Sequence, residues 1–268
     1  MQTDFCAAAA TYDEVAVLAR EVSLRMAARL DFVKLSPARF ADIGCATGDG
    51  IRALQARYPQ ALPLAIDYAP AMLAEVQRHV PWMDRLRRRA PRCVAADVRA
   101  LPLANGTLGL AWSNLMLHWL DDPLPAFREL QRVLEVGGLL MFSTLGPDTL
   151  RELRAAGATT LRRFHDMHDL GDMLMAAGFA DPVMEMEKIV LTYRGPCGLL
   201  RDQRLLGVRD GLFGAMGFRE ARRVFRNWQR QTESDGRLPA TFEIVYGHAW
   251  KAEPKATADG HAIIRFRK

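Results

Sequence analysis

Cysteine is scarce in this chain, and the scarcity sets the first limits. Only four of 268 residues are cysteine: Cys6, Cys45, Cys93 and Cys197. No two stand at C-x-x-C spacing, which excludes a zinc ribbon or a dithiol redox motif, and scattered thiols suit a reducing compartment. Long apolar runs are missing too, so no segment spans a bilayer. The first ten residues carry Asp4 and no basic stretch, a poor leader peptide. These absences point to a cytoplasmic protein with no membrane partner. The chain also lacks a G-x-G-x-x-G fingerprint, a P-loop lysine, internal repeats and low-complexity tracts. Hydrophobic residues are not scarce: they make up 50% of the chain, so a full core can form. The length suits one large domain, or one domain with a sizeable insertion. The formal net charge of +5 gathers in arginine clusters. A basic face suits an acidic partner such as nucleic acid, an anionic membrane or an acidic protein; the alternative is a solvated surface.

Read along the chain, Tyr12–Leu30 has the spacing of an amphipathic helix. Short β-branched and apolar runs at 39–43, 62–66, 92–96, 108–113 and 139–144 read as strands. They alternate with helical patterns at 48–58, from Pro70, and at 123–134. Such alternation calls for a parallel sheet with helices on both faces. The pair Gly137-Gly138 reads as the turn into the fifth strand. Beyond it, 147–163 looks helical, 169–177 is a helix closed by Gly178, and 183–193 and 241–250 are strands. The expected fold is α/β, a doubly wound and mostly parallel seven-stranded Rossmann-like sheet with helical lid insertions. Its expected parts are an N-terminal helical cap (1–34), a core (35–194) with a helical segment near 147–168, a helical lid insertion (195–238), the last core strand (239–252) and a polar tail (253–268).

The polar residues that close the strands carry the chemistry. The segment Asp42-Ile43-Gly44-Cys45-Ala46-Thr47-Gly48 follows a strand and opens a helix, where glycines allow a tight turn and close backbone approach to a ligand. About 20 residues on, Asp67 closes the second strand, where a carboxylate can take both ribose hydroxyls. Asp97, followed by Val98, closes the third strand, placed to accept from an adenine amino group. Asn114 closes the fourth. Ligands of open α/β sheets bind at such strand ends. Two separated acids without a P-loop lysine describe a nucleoside lacking a polyphosphate, and S-adenosylmethionine fits. Asp42 or nearby carbonyls would hold its amino group, while Tyr68 and Met72 would pack against ribose and adenine, Met72 being equally well explained as helix core. His165, His168 and Asp169 hint at a metal, but no third ligand is evident. A helix cap is the better role for Asp169, and no metal is expected.

Here the residues resemble a known family. Asp42–Gly48 looks like the first motif of class I S-adenosylmethionine-dependent methyltransferases. More specific are Ser113-Asn114-Leu115-Met116-Leu117-His118-Trp119, Arg128-Glu129-Leu130 and the run from Phe142 to Leu153. So are Asp166–Asp172, Leu199-Leu200-Arg201-Asp202 and Thr241–Trp250. Together they are similar to the BioC family of malonyl-acyl carrier protein O-methyltransferases of biotin synthesis, over nearly the whole chain. Ala46 departs from the family, which more often has glycine there, and a positive φ at that position would make alanine costly. A related branch of complex I assembly factors, which hydroxylate an arginine, shares Ser113–Trp119 and Thr241–Trp250. Those two segments therefore leave the reaction open between methyl transfer, arginine hydroxylation and another small-molecule methyltransferase activity.

The resemblance implies methyl transfer to a carboxylate that is already ionised near neutral pH. Alignment should then dominate, with no essential general base. Arg201, in the expected lid, is the leading holder of the substrate carboxylate; Tyr12 would close over the cofactor, and His118 would face the transferred methyl or simply pack. Acyl carrier proteins are acidic. Arg219, Arg222, Arg223 and Arg226 at helical spacing form the preferred dock, ahead of the cluster Arg85, Arg87, Arg88 and Arg89. Phe218, Phe225 and Trp228 between those arginines read as the buried side of an amphipathic helix. No nucleic-acid partner is expected, and a monomer is.

Overall fold

The computed structural model describes residues 2–86, 89–232 and 236–253. The polar tail from 254 onward, and Arg87 and Arg88 of the first arginine cluster, lie outside the described residues. Seven strands form one sheet: β1 (Arg39–Ile43), β2 (Leu62–Asp67), β3 (Arg92–Ala95), β4 (Leu108–Ser113), β5 (Leu134–Leu145), β6 (Ala180–Tyr193) and β7 (Leu238–Trp250). Their order is β3-β2-β1-β4-β5-β7-β6. Only β7 runs against its neighbours β5 and β6. The chain winds outward from β1 to β3 and then restarts on the other side of β1 with β4. The carboxyl ends of β1 and β4 therefore flank the point where the winding reverses, the usual place for a ligand crevice.

Strand alternation builds the two layers of core. Phe40, Leu110, Met141 and Ile244 face one side and pack on Val22, Met26, Ile51 and Leu54. Their neighbours Ala41, Ala111, Leu140 and Val245 face the other and pack on Phe127, Leu130, Leu170 and Leu174. The first layer of helices includes α1 (Gln2–Ala8), α2 (Tyr12–Val15), α3 (Val17–Arg29), α4 (Asp49–Arg57), α5 (Pro70–Arg78) and α6 (Trp82–Leu86). Next come α7 (Leu124–Val133), α8 (Arg151–Ala155) and α9 (Met167–Ala176). Between β6 and β7 the chain forms α10 (Pro196–Leu205), α11 (Arg209–Phe213) and α12 (Phe218–Gln229). Gly178, at φ +90°, ends α9 as expected: its N–H donates to Met175 and the Phe179 N–H to Leu174, a Schellman closure.

Several elements differ from the sequence reading. The first long helix breaks at Ala16, which is buried, so that α2 can lie over the sheet's end; the Thr47 hydroxyl donates to Asp13 at 2.5 Å and pins it there. The helix expected over 147–163 shrinks to α8. Leu150 sits at φ +56° with its N–H on the Thr241 carbonyl, and Gly157 at φ +96° follows the last turn, so strand β7 fixes the chain before the helix and glycine ends it. The cap of α9 is Asp166, which accepts the His168 N–H at 2.8 Å, whereas Asp169 lies in the first turn. The pair Gly137-Gly138 forms a bulge inside β5 rather than a turn before it, as pairing with β4 jumps from Leu108–Leu134 to Leu110–Leu139. In α12, Val224 and Trp228 are buried and the Trp228 indole donates to Pro239 at 2.9 Å. Phe218, expected on that side, is 83% exposed, because it starts the helix one turn before the packed stretch.

Candidate functional site

A cleft of about 800 Å³ opens at the carboxyl ends of the central strands. Among the candidates read from the sequence, Gly44, Ala46, Asp67, Tyr68, Met72, Asp97, Val98, Asn114, Tyr12 and His118 all line it. Helices α1 to α3 and residues 203–212 of the insertion close it from above, with Gln203, Leu206 and Leu212 on its wall. Nothing in the sequence pattern marked those three, since apolar and amide groups on a helix read as ordinary packing.

The glycine loop is shaped for close approach. Gly44 turns at φ +76°, and a Cβ there would meet the Met116 side chain at 2.4 Å. Ala46 also takes a positive φ, +44°, a conformation that costs a side-chain-bearing residue about 1 kcal/mol or more. Its N–H donates to Asp67 at 2.9 Å, and the Ala69 N–H donates to the other oxygen at 2.8 Å. Asp67 thus ties the loop to the start of α5, and a carboxylate that accepts from the backbone keeps lone pairs for ligand hydroxyls. Burial pushes its pKa up.

Asp42, Cys45 and Gly48 do not line the cleft, which corrects their assignment as direct ligand contacts. Asp42 follows Phe40 by two residues, so strand alternation turns it toward α4. There it is buried and accepts the Ile51 N–H, and burial with Asp67 nearby pushes its pKa up to about 8. Cys45 is buried in the core and its thiol is pushed up by burial. Gly48 caps α4 at φ +92°, on the far side of the loop.

The other strand ends are partly occupied by the protein. Asp97 lies two residues past β3 and pairs with Arg99 at 2.6 Å, which holds its carboxyl below the usual range. Asn114 donates to the Ala19 carbonyl at 2.9 Å and accepts the Ser143 hydroxyl at 2.7 Å, so it joins α3 to the sheet while its flank faces the cleft. Met72 is 2% exposed and packs with Ala9 and Ala69 under α1, joining core and cleft wall. Burial and four acids, Asp67, Asp49, Asp13 and Asp42, drive the Tyr12 phenol above its ordinary value, so it stays a hydrogen-bond donor. His118 is buried, its Nδ1 lacks a partner, and burial beside Arg162 pulls its pKa down to about 3; it is neutral at physiological pH. Arg201 is exposed on α10 and away from the cleft, which corrects its role as carboxylate holder. Among the described residues, no group of three His, Cys, Asp or Glu side chains could hold a metal ion.

A nucleoside with a cationic sulfonium fits this site. The glycine loop admits it closely, Asp67 retains acceptors, and Asp13 and Asp49 near Tyr12 favour positive charge. A family model described as "Methyltransferase domain" matches residues 41–142. The YcgJ protein of Bacillus subtilis superposes with TM-score 0.61 at 14% identity, covering 85% of this chain and 98% of that one, a likeness of fold. Fold and cleft define an S-adenosylmethionine-dependent methyltransferase of class I. The malonyl-[acyl-carrier protein] O-methyltransferase of Laribacter hongkongensis is 49% identical over 99% of this chain and 94% of its own length. That of Gallionella capsiferriformans is 47% identical over the same shares. The chain belongs to the malonyl-[acyl-carrier protein] O-methyltransferase family.

Proposed function

We propose that this chain methylates the free carboxylate of malonyl-acyl carrier protein, giving the methyl ester that primes biotin synthesis. One observation carries the reading: the alignments at 47–49% identity span 99% of this chain, so they include the α10–α12 insertion as well as the sheet. When bound, S-adenosylmethionine supplies an activated methyl group. Asp67 holds the ribose and the glycine loop lets the backbone approach. Asp97 and Val98 face the adenine. Tyr12, a protonated donor on α2, and neutral His118 line the reacting space and orient the carboxylate, whose charge needs no general base. The helices of the insertion act as a lid that keeps water out.

The carrier docks on α12. Arg219, Arg222, Arg223 and Arg226 are exposed there, while Phe225 and Trp228 of the same helix are spent on packing against Phe213 and Pro239. With Phe218 the one aromatic of α12 left exposed, the four arginines dominate that face, which favours an acidic protein over stacked nucleic-acid bases. Among the described residues no helix is long and apolar enough to cross a membrane. The proposed protein acts as a monomer in the cytoplasm. Incubating it with S-adenosylmethionine and malonyl-acyl carrier protein should add one methyl group to the carrier's intact mass; a carrier left unmodified at every enzyme level would contradict the proposal.

A further inference from the structure

A second hollow of about 370 Å³ adjoins the cleft and shares His118, Leu120, Asp121 and Leu145 with it. Arg162 and Arg163 stand side by side on its wall. Arg162 is fully engaged: it donates to the carbonyls of His118 at 2.9 Å and Trp119 at 3.1 Å, and pairs with Asp121 at 2.6 Å. Arg163 has no acid or carbonyl partner among the described residues. Behind them, Arg154 donates to the Arg162 carbonyl at 2.9 Å, yet its Nε is buried without an acceptor. Burial and the neighbouring Arg163 lower the Arg154 pKa, with Asp148 partly offsetting them, so the two guanidiniums lie close together. Nearby acids are committed elsewhere: Asp121 to Arg162, and Asp148 to Lys188 at 2.6 Å. His165 on the same wall sets its Nε2 against the Asp121 carbonyl at 3.1 Å. His118, 7% exposed, lines both spaces, and its Nδ1 is buried without a partner. Arg163 is exposed on the hollow's wall, so its guanidinium fork is open to an anion that enters the hollow.

We propose that this hollow is an oxyanion subsite in which Arg163, backed by Arg154, receives an anionic group of the acyl thioester. The group is either the terminal carboxylate or the phosphate of the carrier arm, both of which suit a guanidinium fork. The choice of ligand rests on the function proposed above. The subsite also supplies, from the segment after α8, the guanidinium that the sequence suggested at Arg201.

The test is calorimetric titration of the protein, saturated with S-adenosylhomocysteine, with two ligands. Malonyl-coenzyme A carries both anions; malonyl-N-acetylcysteamine carries only the carboxylate. R163Q should weaken malonyl-coenzyme A about tenfold, the size of one charge-assisted hydrogen bond, with melting temperature and S-adenosylhomocysteine affinity unchanged. A matching loss for the second ligand assigns the site to the carboxylate; a loss confined to the first assigns it to the phosphate. Wild-type affinity of R163Q for both ligands overturns the proposal, as does a wild-type protein that binds neither. Binding without methyl transfer would instead overturn only the proposed function.

Discussion

The two ends of the groove carry opposite charge. Where β1 and β2 end, Asp67, Asp49 and Asp13 surround Tyr12, with Asp42 buried and protonated behind them. Beyond His118, Arg162 and Arg163 line the second hollow with Arg154 behind them, and elsewhere on the surface α12 exposes four more arginines. The contrast shows how one cleft can take up two reactants of opposite sign. The acidic end favours a cationic cofactor, the basic end an anionic substrate, and the two charges meet in the space between, lined by neutral Tyr12 and His118. An anion and a cation that annihilate on reaction gain from the exclusion of water, so burial and alignment suffice without a proton-transfer group.

The largest expected effect lies at the acidic end. Asp67→Ala removes the ribose acceptors and also unties Ala46 and Ala69, so cofactor affinity should fall by about 3 kcal/mol, on the order of a hundredfold. Calorimetry with S-adenosylmethionine measures it, and unchanged affinity would break the comparison at that end. Asp42 sharpens it through pH. With a folded pKa of about 8 against an ordinary 3.8, it binds a proton in the folded state that the unfolded chain has lost. Stability therefore falls as pH rises through that window. His118, neutral when folded and protonating near 6.5 when unfolded, has the opposite slope, with stability rising as pH climbs to 6.5. The two oppose each other up to pH 6.5, and Asp42 acts without that opposition from there to 8. Urea midpoints should drop over pH 6.5–8 in the wild type, and the drop should shrink in Asp42→Asn.

At the basic end, Arg222→Glu with Arg223→Glu should raise KM for malonyl-acyl carrier protein about tenfold and leave malonyl-coenzyme A unaffected, because rim charges steer a protein partner. Equal effects on both would remove α12 as the dock. The smallest change is Ala46→Gly. Relieving the positive φ should stabilise the protein by about 1 kcal/mol, visible as a higher melting temperature; a lower one would mean that the alanine methyl packs usefully.

Much of the acidic end was legible in the sequence, because period-two alternation and the spacing of polar residues after each strand mark strand ends directly. The facing of those residues was less so. Asp42 looks like a ligand contact until the register of β1 turns it under α4. The basic end was harder to read. Leu150 is held by β7, 91 residues away in sequence, and no local pattern announces that the helical run around it is cut to α8. Arg162 and Arg163 are adjacent and chemically alike, and only tertiary contacts separate the engaged guanidinium from the free one. Arg201 drew attention because it matched a family segment, yet helix phase leaves it in solvent and puts Gln203 on the cleft.

The separation of the two ends is tested most directly by one crossed set of isotherms. S-adenosylmethionine and malonyl-acyl carrier protein are each titrated into Asp67→Ala and into the Arg222→Glu, Arg223→Glu double variant. Cofactor affinity should fall only in the first and carrier affinity only in the second. Variants that weaken both ligands alike would contradict a groove with two poles.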